Sequence, residues 1–423
     1  MSDVIKKEII NGVNLYYIPE TKYKTVSMTA FLNRKLSREE ATLNALLSKV
    51  LKRGTKKCKN IQELNVYADN LYGALYDVNV SKKAYVQSIV SSVNFLSDEY
   101  TNTSITKECV EFMLDLLYCP NCNDGCFSED VFEVEKQNLK DDIEGLINDK
   151  RSYANFRCIE EMCKDEENAV FEFGYLEDLD NIDNKMLYDH YSKIVYRSPL
   201  DIFVVGNLNE DELSGYIKEY LSQFDYDIEI IEPKEKDEKT VTEVKYIEDR
   251  FDVAQGKLAI GFRTSVTIDS PDYYGLILGN SIFGSGAHSR LFNTVREKLS
   301  LCYYASSMTD KYNGIMLVSS GIEFCNFDKA KTEIEKQLEN IKKGDFSKEE
   351  FDVAKQYLIN NFRSMKDSAF AMKDYYRGQC FSSNKDTVDE AIDKISNLTR
   401  DDVLRAMEHI CEDTVYFLKG KEE

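Results

Sequence analysis

The chain has 423 residues, 43% of them apolar and 12% aromatic, enough for two or three domains with real cores. A formal net charge of -21 at pH 7 argues against nucleic acid or an anionic membrane as partner and leaves basic or unfolded peptides open. With only His190, His288 and His409 available, a multi-histidine metal site cannot be assembled.

The first stretch, "MSDVIKKEIINGVNLYYIPE", lacks the roughly 7–15-residue apolar core of a secretory signal. A cytoplasmic setting with reduced thiols is therefore expected for the eleven cysteines. No run reaches the ~20 apolar residues of a membrane span. "VNLYYIPE" and "TVSMTAFLN" read as strands. A helix follows, with Ser37 as N-cap and Glu40 three residues on as a capping box, and Gly54 suits its end. "NVYADNLYGALYDVNVSKKAYVQSIVSS" reads as a helix and then one or two strands. Residues 106–118, 128–150 and 152–164 read as helices, and "PLDIFVVGN" (199–207) as a strand ending in glycine.

The chain repeats itself. "FSEDVFEVEKQNL" from Phe127 and "FSKEEFDVAKQYL" from Phe346 share seven of thirteen positions at an offset of 219. The elements that follow keep the same order, through "NIDNKMLYDHY" or "NLTRDDVLRAM" to a strand closing in Gly206 or Gly420. The charge-rich segment 225–243 has linker composition. The predicted architecture is α+β: two homologous domains, 1–224 and 244–423, each a mostly antiparallel sheet packed with helices.

With this duplication the chain resembles the insulinase/pitrilysin zinc peptidases, which include the mitochondrial processing peptidase. Members carry H-x-x-E-H on a first-half helix that commonly ends in a basic-Gly-Thr run. Here "NALLSKVLKRGTKK" supplies Arg53-Gly54-Thr55, and the resemblance places Ala45 and Lys49 at the histidine positions and Ser48 at the glutamate position. Two histidines at i and i+4 would grip one zinc ion, and the glutamate would polarise its water. Ala45 has no donor atom, Lys49 is a cation without a lone pair, and Ser48 is a poor base. The resemblance also implies Asp142 at the third ligand position and Glu135 seven residues earlier, nearly two helical turns away. Lys49 is expected beside Asp142 or Glu135, its charge replacing that of the metal. An acidic solvated helix face is the plainer reading of those two acids.

The second half keeps more of the family pattern in "FGSGAHSRLFNTVREKLSLCYYASS" (283–307). Gly284 and Gly286 match a glycine-rich turn, followed by Ser289-Arg290-Leu291-Phe292, Arg296-Glu297-Lys298 and Tyr303. The resemblance implies that Arg296 and Tyr303 bind substrate and stabilise charge over a zinc site, in two-chain members that of the partner. An ordinary surface ion pair for Arg296 and strand packing for Tyr303 are the bland alternatives. "LSLCYY" replaces the family's glycine-containing "RGLAY", which puts local backbone geometry in question.

Cys119, Cys122 and Cys126 in "CPNCNDGCF", with Cys109, could form a structural zinc site, but the usual second CxxC is missing. Neither "GNSIFG" nor "GSGAHS" fits a nucleophile elbow or a phosphate loop, and the histidines read as surface or core residues.

The expectation is an inactive peptidase homologue without metal or cofactor. It would be the non-catalytic subunit of a heterodimer whose sister chain carries the intact motif, shaping a peptide chamber. The alternatives are a homodimeric peptide-binding or chaperone-like module, and an active metallopeptidase with unusual ligands. Within the family the chain most resembles short bacterial proteins encoded beside an intact sister, some of them associated with 5-aminopentanol modification of elongation factor P. The run "EVEKQNLKDDIEGLINDKRSYANFRCIEEMC" carries that narrower likeness.

Overall fold

The structure is a computed structural model that describes residues 4–232 and 239–421. The first strands are β1 (Ile5–Ile10), β2 (Val13–Pro19), β3 (Thr25–Lys35), β4 (Leu75–Lys83) and β5 (Val86–Leu96). A two-residue ribbon, β6 (Cys122–Asn123) and β7 (Cys126–Phe127), precedes β8 (Leu200–Gly206). The later strands are β9 (Lys245–Phe251), β10 (Gly256–Arg263), β11 (Cys302–Asp310), β12 (Ile315–Ile322) and β13 (Cys411–Gly420).

The first sheet has the order β1-β2-β8-β3-β5-β4, with β2 and β8 parallel and the rest antiparallel. The second has the order β11-β12-β10-β13-β9, with β13 and β9 parallel. Read from the other edge, β9-β13-β10-β12-β11 reproduces β2-β8-β3-β5-β4, including the one parallel pair. The repeat seen in the sequence is thus a repeat of topology. It extends to side chains: Lys136 Nζ donates to Ile182 O at 2.7 Å, and its counterpart Lys355 Nζ donates to Leu398 O at 2.7 Å. Both carbonyls sit just before the N-cap of the next helix, at Asp183 and Thr399.

Alternation builds the first core. On β3, Val26, Met28, Ala30 and Leu32 are almost fully buried in one cluster with Leu46 and Leu47 of helix Arg38–Leu51 and Val110, Met113, Leu114 and Leu117 of helix Thr106–Tyr118. The same strand buries Thr29, Phe31 and Asn33 on its other face, as a central strand must. In the second half, helix Tyr273–Phe283 is apolar nearly all round and correspondingly buried. Its Gly275 and Gly279 let helix Arg400–Met407 approach closely: a Cβ there would meet Asp402 O at 2.5 Å and Met407 Sδ at 2.4 Å.

Contacts divide the chain into two units that are interleaved in sequence, where contiguous halves were expected. Among the described residues the first comprises 4–145, 170–232 and 368–378, and the second 146–169, 239–367 and 379–421. Helix Lys150–Met162 therefore belongs with the second sheet. Its Ala154 and Cys158 are buried with Ala259, Leu317, Tyr416 and Leu418. Helix Ala369–Gln379 lies, through Gly378, with the first: Arg377 Nη2 donates to Ser88 Oγ at 2.9 Å, and its guanidinium lies 3.8 Å from the centre of the Phe31 ring. The expected linker 225–243 falls partly on residues 233–238, outside the described residues. Its first part is bonded to the first unit, Glu229 N donating to Arg197 O at 2.8 Å. A fragment ending at residue 224 would carry helix Lys150–Met162 without its sheet. It is expected to show no cooperative urea transition by circular dichroism, whereas the full chain shows one.

Candidate functional site

Helix Arg38–Leu51 starts as its sequence says, Ser37 Oγ accepting from Glu40 N at 3.2 Å. The reciprocal arm of the expected capping box is replaced, because Arg34 takes the Glu40 carboxylate in a two-point ion pair at 2.8 and 2.7 Å. At the other end Gly54 is needed for close approach and not for a left-handed cap: a Cβ would lie 2.7 Å from Lys59 O.

The helix packs against Glu129–Gly145 and presents the three questioned residues. Ala45 is 1% exposed and part of the apolar core. Ser48, also buried, turns its hydroxyl back to donate to Ala45 O at 2.8 Å. Lys49 Nζ lies 2.6 Å from Asp142 Oδ2, the contact expected from the sequence. Glu135 is paired differently. It is 2% exposed, lies 2.5 Å from Arg53 Nε and accepts from Asn138 Nδ2 at 3.2 Å. Arg53 was quoted in the sequence only as part of an anchor motif. It lies in the turn after the helix, beyond the C-cap Lys52, so helical spacing gave no signal for it.

This donor set does not fit zinc. Both carboxylates are occupied by cations that lack a lone pair, and Ala45 offers no ligand. Among the described residues no group of three or more His, Cys, Asp or Glu is placed to hold a metal ion. None of the cysteines among the described residues is in a disulfide; Cys109 is buried, and Cys122 and Cys126 sit on the β6–β7 ribbon. His190 is a core residue. Its Nε2 lies 2.8 Å from Asn44 Oδ1, and burial pushes it down to about 4, so it is neutral at pH 7. His288 Nε2 lies 3.1 Å from Ser281 Oγ, and His409 is exposed near Glu408.

In the second unit the matched motif runs through three irregularities. Residues Leu291–Lys298 form a π-helix, a rare form often found at functional sites. Ser300 follows at φ 51°, the left-handed region that glycine enters without steric cost. A serine therefore holds, at the position where the resemblance has glycine, a conformation that suits glycine. Ser300→Gly is expected to raise stability by about 0.5–1 kcal/mol, read as an upward shift of the urea midpoint. Third, Tyr303 is the extra residue of a β-bulge: Cys302 pairs with Ile322 and Tyr304 with Gly321.

Bulging leaves Tyr303 57% exposed on the edge strand β11, its hydroxyl donating to the Glu323 carboxylate. Arg296 is partly exposed, 3.3 Å from Glu297 Oε1 and 4.6 Å from the centre of the Phe292 ring. Leu301 N donates to Val295 O at 3.0 Å, so one tight turn ties the helix of Arg296 to the strand of Tyr303. Upstream, Gly284 closes helix Tyr273–Phe283, and a Cβ there would strike Ser307 Oγ at 2.3 Å. Gly286 has φ 116° and lies against the His288 ring. Arg290 anchors the segment through two bonds to Glu350, at 2.7 and 3.1 Å.

The model of the peptidase M16 inactive domain matches residues 181–358. The "Probable inactive metalloprotease YmfF" of Bacillus subtilis (strain 168) is 33% identical over 413 residues, 97% of this chain and 96% of its own. This chain belongs to the M16 peptidase family. It stands with the inactive M16 members. A conserved protein from Enterococcus faecalis V583 superposes with a TM-score of 0.91 at 30% identity over 100% of both chains. The M16 inactive domain from Pseudomonas fluorescens reaches 0.81 at 16% identity, over 99% of this chain and 98% of its own, a likeness of fold. No helix among the described residues is long and apolar enough to cross a membrane.

Proposed function

We propose that this M16 protein is the non-catalytic subunit of a two-chain peptidase. It shapes a peptide-binding chamber and lends Arg296 and Tyr303 to the zinc site of an active sister chain. The observation that carries this reading is an asymmetry. In the first unit the old ligand face is closed by Lys49–Asp142 and Arg53–Glu135. In the second unit the family motif remains, with Tyr303 exposed and Arg296 partly exposed. A guanidinium can fix a peptide carboxylate or carbonyl, and a tyrosine hydroxyl can donate to a developing oxyanion. Gly286, partly exposed at φ 116°, suits a turn that a peptide can approach, whereas Gly284 is buried and serves packing against Ser307.

The test is co-expression with a sister chain carrying H-x-x-E-H, with native mass spectrometry and a peptide-cleavage assay. A 1:1 heterodimer is expected, in which Arg296→Ala or Tyr303→Phe lowers kcat/KM by about 10²-fold, the scale of one lost oxyanion donor. A self-associating chain that ignores the sister, or intact activity in both variants, would refute the proposal. Stoichiometric zinc and hydrolysis in the purified chain alone would refute it too.

A further inference from the structure

Helix Ala369–Gln379 carries an amine in an unusual setting. Lys373 Nζ donates to Thr29 Oγ1 at 3.0 Å, a neutral partner on the first sheet. The Phe370 and Phe31 rings flank it, with centres 5.1 and 6.0 Å away. One turn further on lies Arg377, 4% exposed, whose guanidinium rests on the same Phe31 ring. Asp374, the acid beside Lys373 in sequence, is engaged by Lys83. Lys373 is thus a half-buried ammonium with a hydroxyl for a partner and cations for company.

We infer that Lys373 is a nucleophilic amine and a modification site for activated acyl donors of the acyl phosphate class. Desolvation and a neighbouring cation are the two ways a protein activates a lysine, and both are present. In this setting burial, and then Arg377, brings the amine down to about 8, with Asp374 opposing and Lys83 adding to the fall. At pH 8 roughly half of such amines are unprotonated, against ~0.4% for an ordinary lysine. The lower basicity takes back part of that advantage, which leaves about a tenfold rate excess. In the reaction the neutral nitrogen attacks the acyl carbon. The bond from that carbon to the phosphate oxygen breaks, phosphate leaves with the electron pair, and the nitrogen loses a proton to water. The product is an amide, and no oxidant or reductant is needed. The modified side chain would lose its charge and relieve the repulsion from Arg377.

Acetyl phosphate is the probe, applied to the full-length chain, with site occupancy followed by peptide mass spectrometry from pH 6.5 to 10. At pH 8 Lys373 is expected to acetylate at least tenfold faster than the exposed Lys185 and Lys336. Its rate should level off above about pH 8 while theirs keep climbing. Lys373→Arg should remove only that labelled peptide. Lys83→Gln takes away a cation and releases Asp374, so the midpoint of the Lys373 profile should move up by half a pH unit or more. A Lys373 rate at or below that of the surface lysines, or one still rising tenfold per pH unit up to pH 10, would overturn the assignment. So would a midpoint that Lys83→Gln leaves in place.

Discussion

Arg263→Ala is expected to lower the stability of the second unit by about 3–5 kcal/mol, the largest loss from any single substitution considered for this protein. Arg263 ends β10 with its side chain 8% exposed. Its Nη2 lies 2.5 Å from Glu166 Oε1 and its Nη1 3.1 Å from Glu166 Oε2, while its Nε donates to Asp413 Oδ2 at 3.0 Å. A fourth bond runs from Nη2 to Met162 O at 3.0 Å. The guanidinium therefore joins β10, β13 and the turn after helix Lys150–Met162. Both acids keep the guanidinium protonated against the cost of burial. Its removal would leave Glu166 and Asp413, at 13% and 11% exposure, without their cation. Lysine offers one point charge where the site needs a fork, so Arg263→Lys should recover less than half of the loss. Urea unfolding at pH 7 checks both variants; a loss below about 1 kcal/mol for alanine would show that the network is solvated.

The second large effect tests what holds the face between helices Arg38–Leu51 and Glu129–Gly145. Arg53→Met is expected to cost about 2–3 kcal/mol, because Glu135 would stay buried with only Asn138 as partner. The figure is set below that for Arg263 because the Arg53 side chain is 35% exposed. Lys49→Met should cost under about 1 kcal/mol, since Asp142 is 62% exposed and water can replace the ammonium. Adding Glu135→Met to Arg53→Met should restore most of the stability, for then no buried charge is left over. A double variant as unstable as the single one would mean that Arg53 acts through packing. The comparison also ranks the two pairs. Lys49–Asp142 was foreseen and is expected to be the weaker, and Arg53–Glu135 was not and is expected to be the stronger.

Much of the site was legible in sequence because its argument rested on what residue types cannot do. Ala45 has no donor atom in any fold, and a protonated Lys49 has no lone pair to give. The seven-residue spacing of Glu135 and Asp142 placed both acids on one face before any coordinates. The destinations of those acids were not legible. Glu135 and Asp142 share a helix face, yet one is 2% exposed and the other mostly exposed, because burial depends on which neighbour crosses above. Glu40 fitted a capping box by spacing, but Arg34 outcompeted the cap for its carboxylate. Ser300 illustrates the opposite limit: its sequence broke the glycine pattern, yet the residue sits at φ 51°, in the left-handed region.

The sequence by itself determined the duplication and the mixed helix–sheet class. These follow from residue identity, hydrophobic period and a 219-residue offset, all of which are local or countable. Tertiary structure alone decided that the units are interleaved, with Lys150–Met162 on the second sheet and Ala369–Gln379 on the first. An amphipathic helix shows that it has an apolar face but not which sheet will cover it. That choice is made by long-range packing and by charges such as Arg263 and Arg377, whose partners lie far away in the chain.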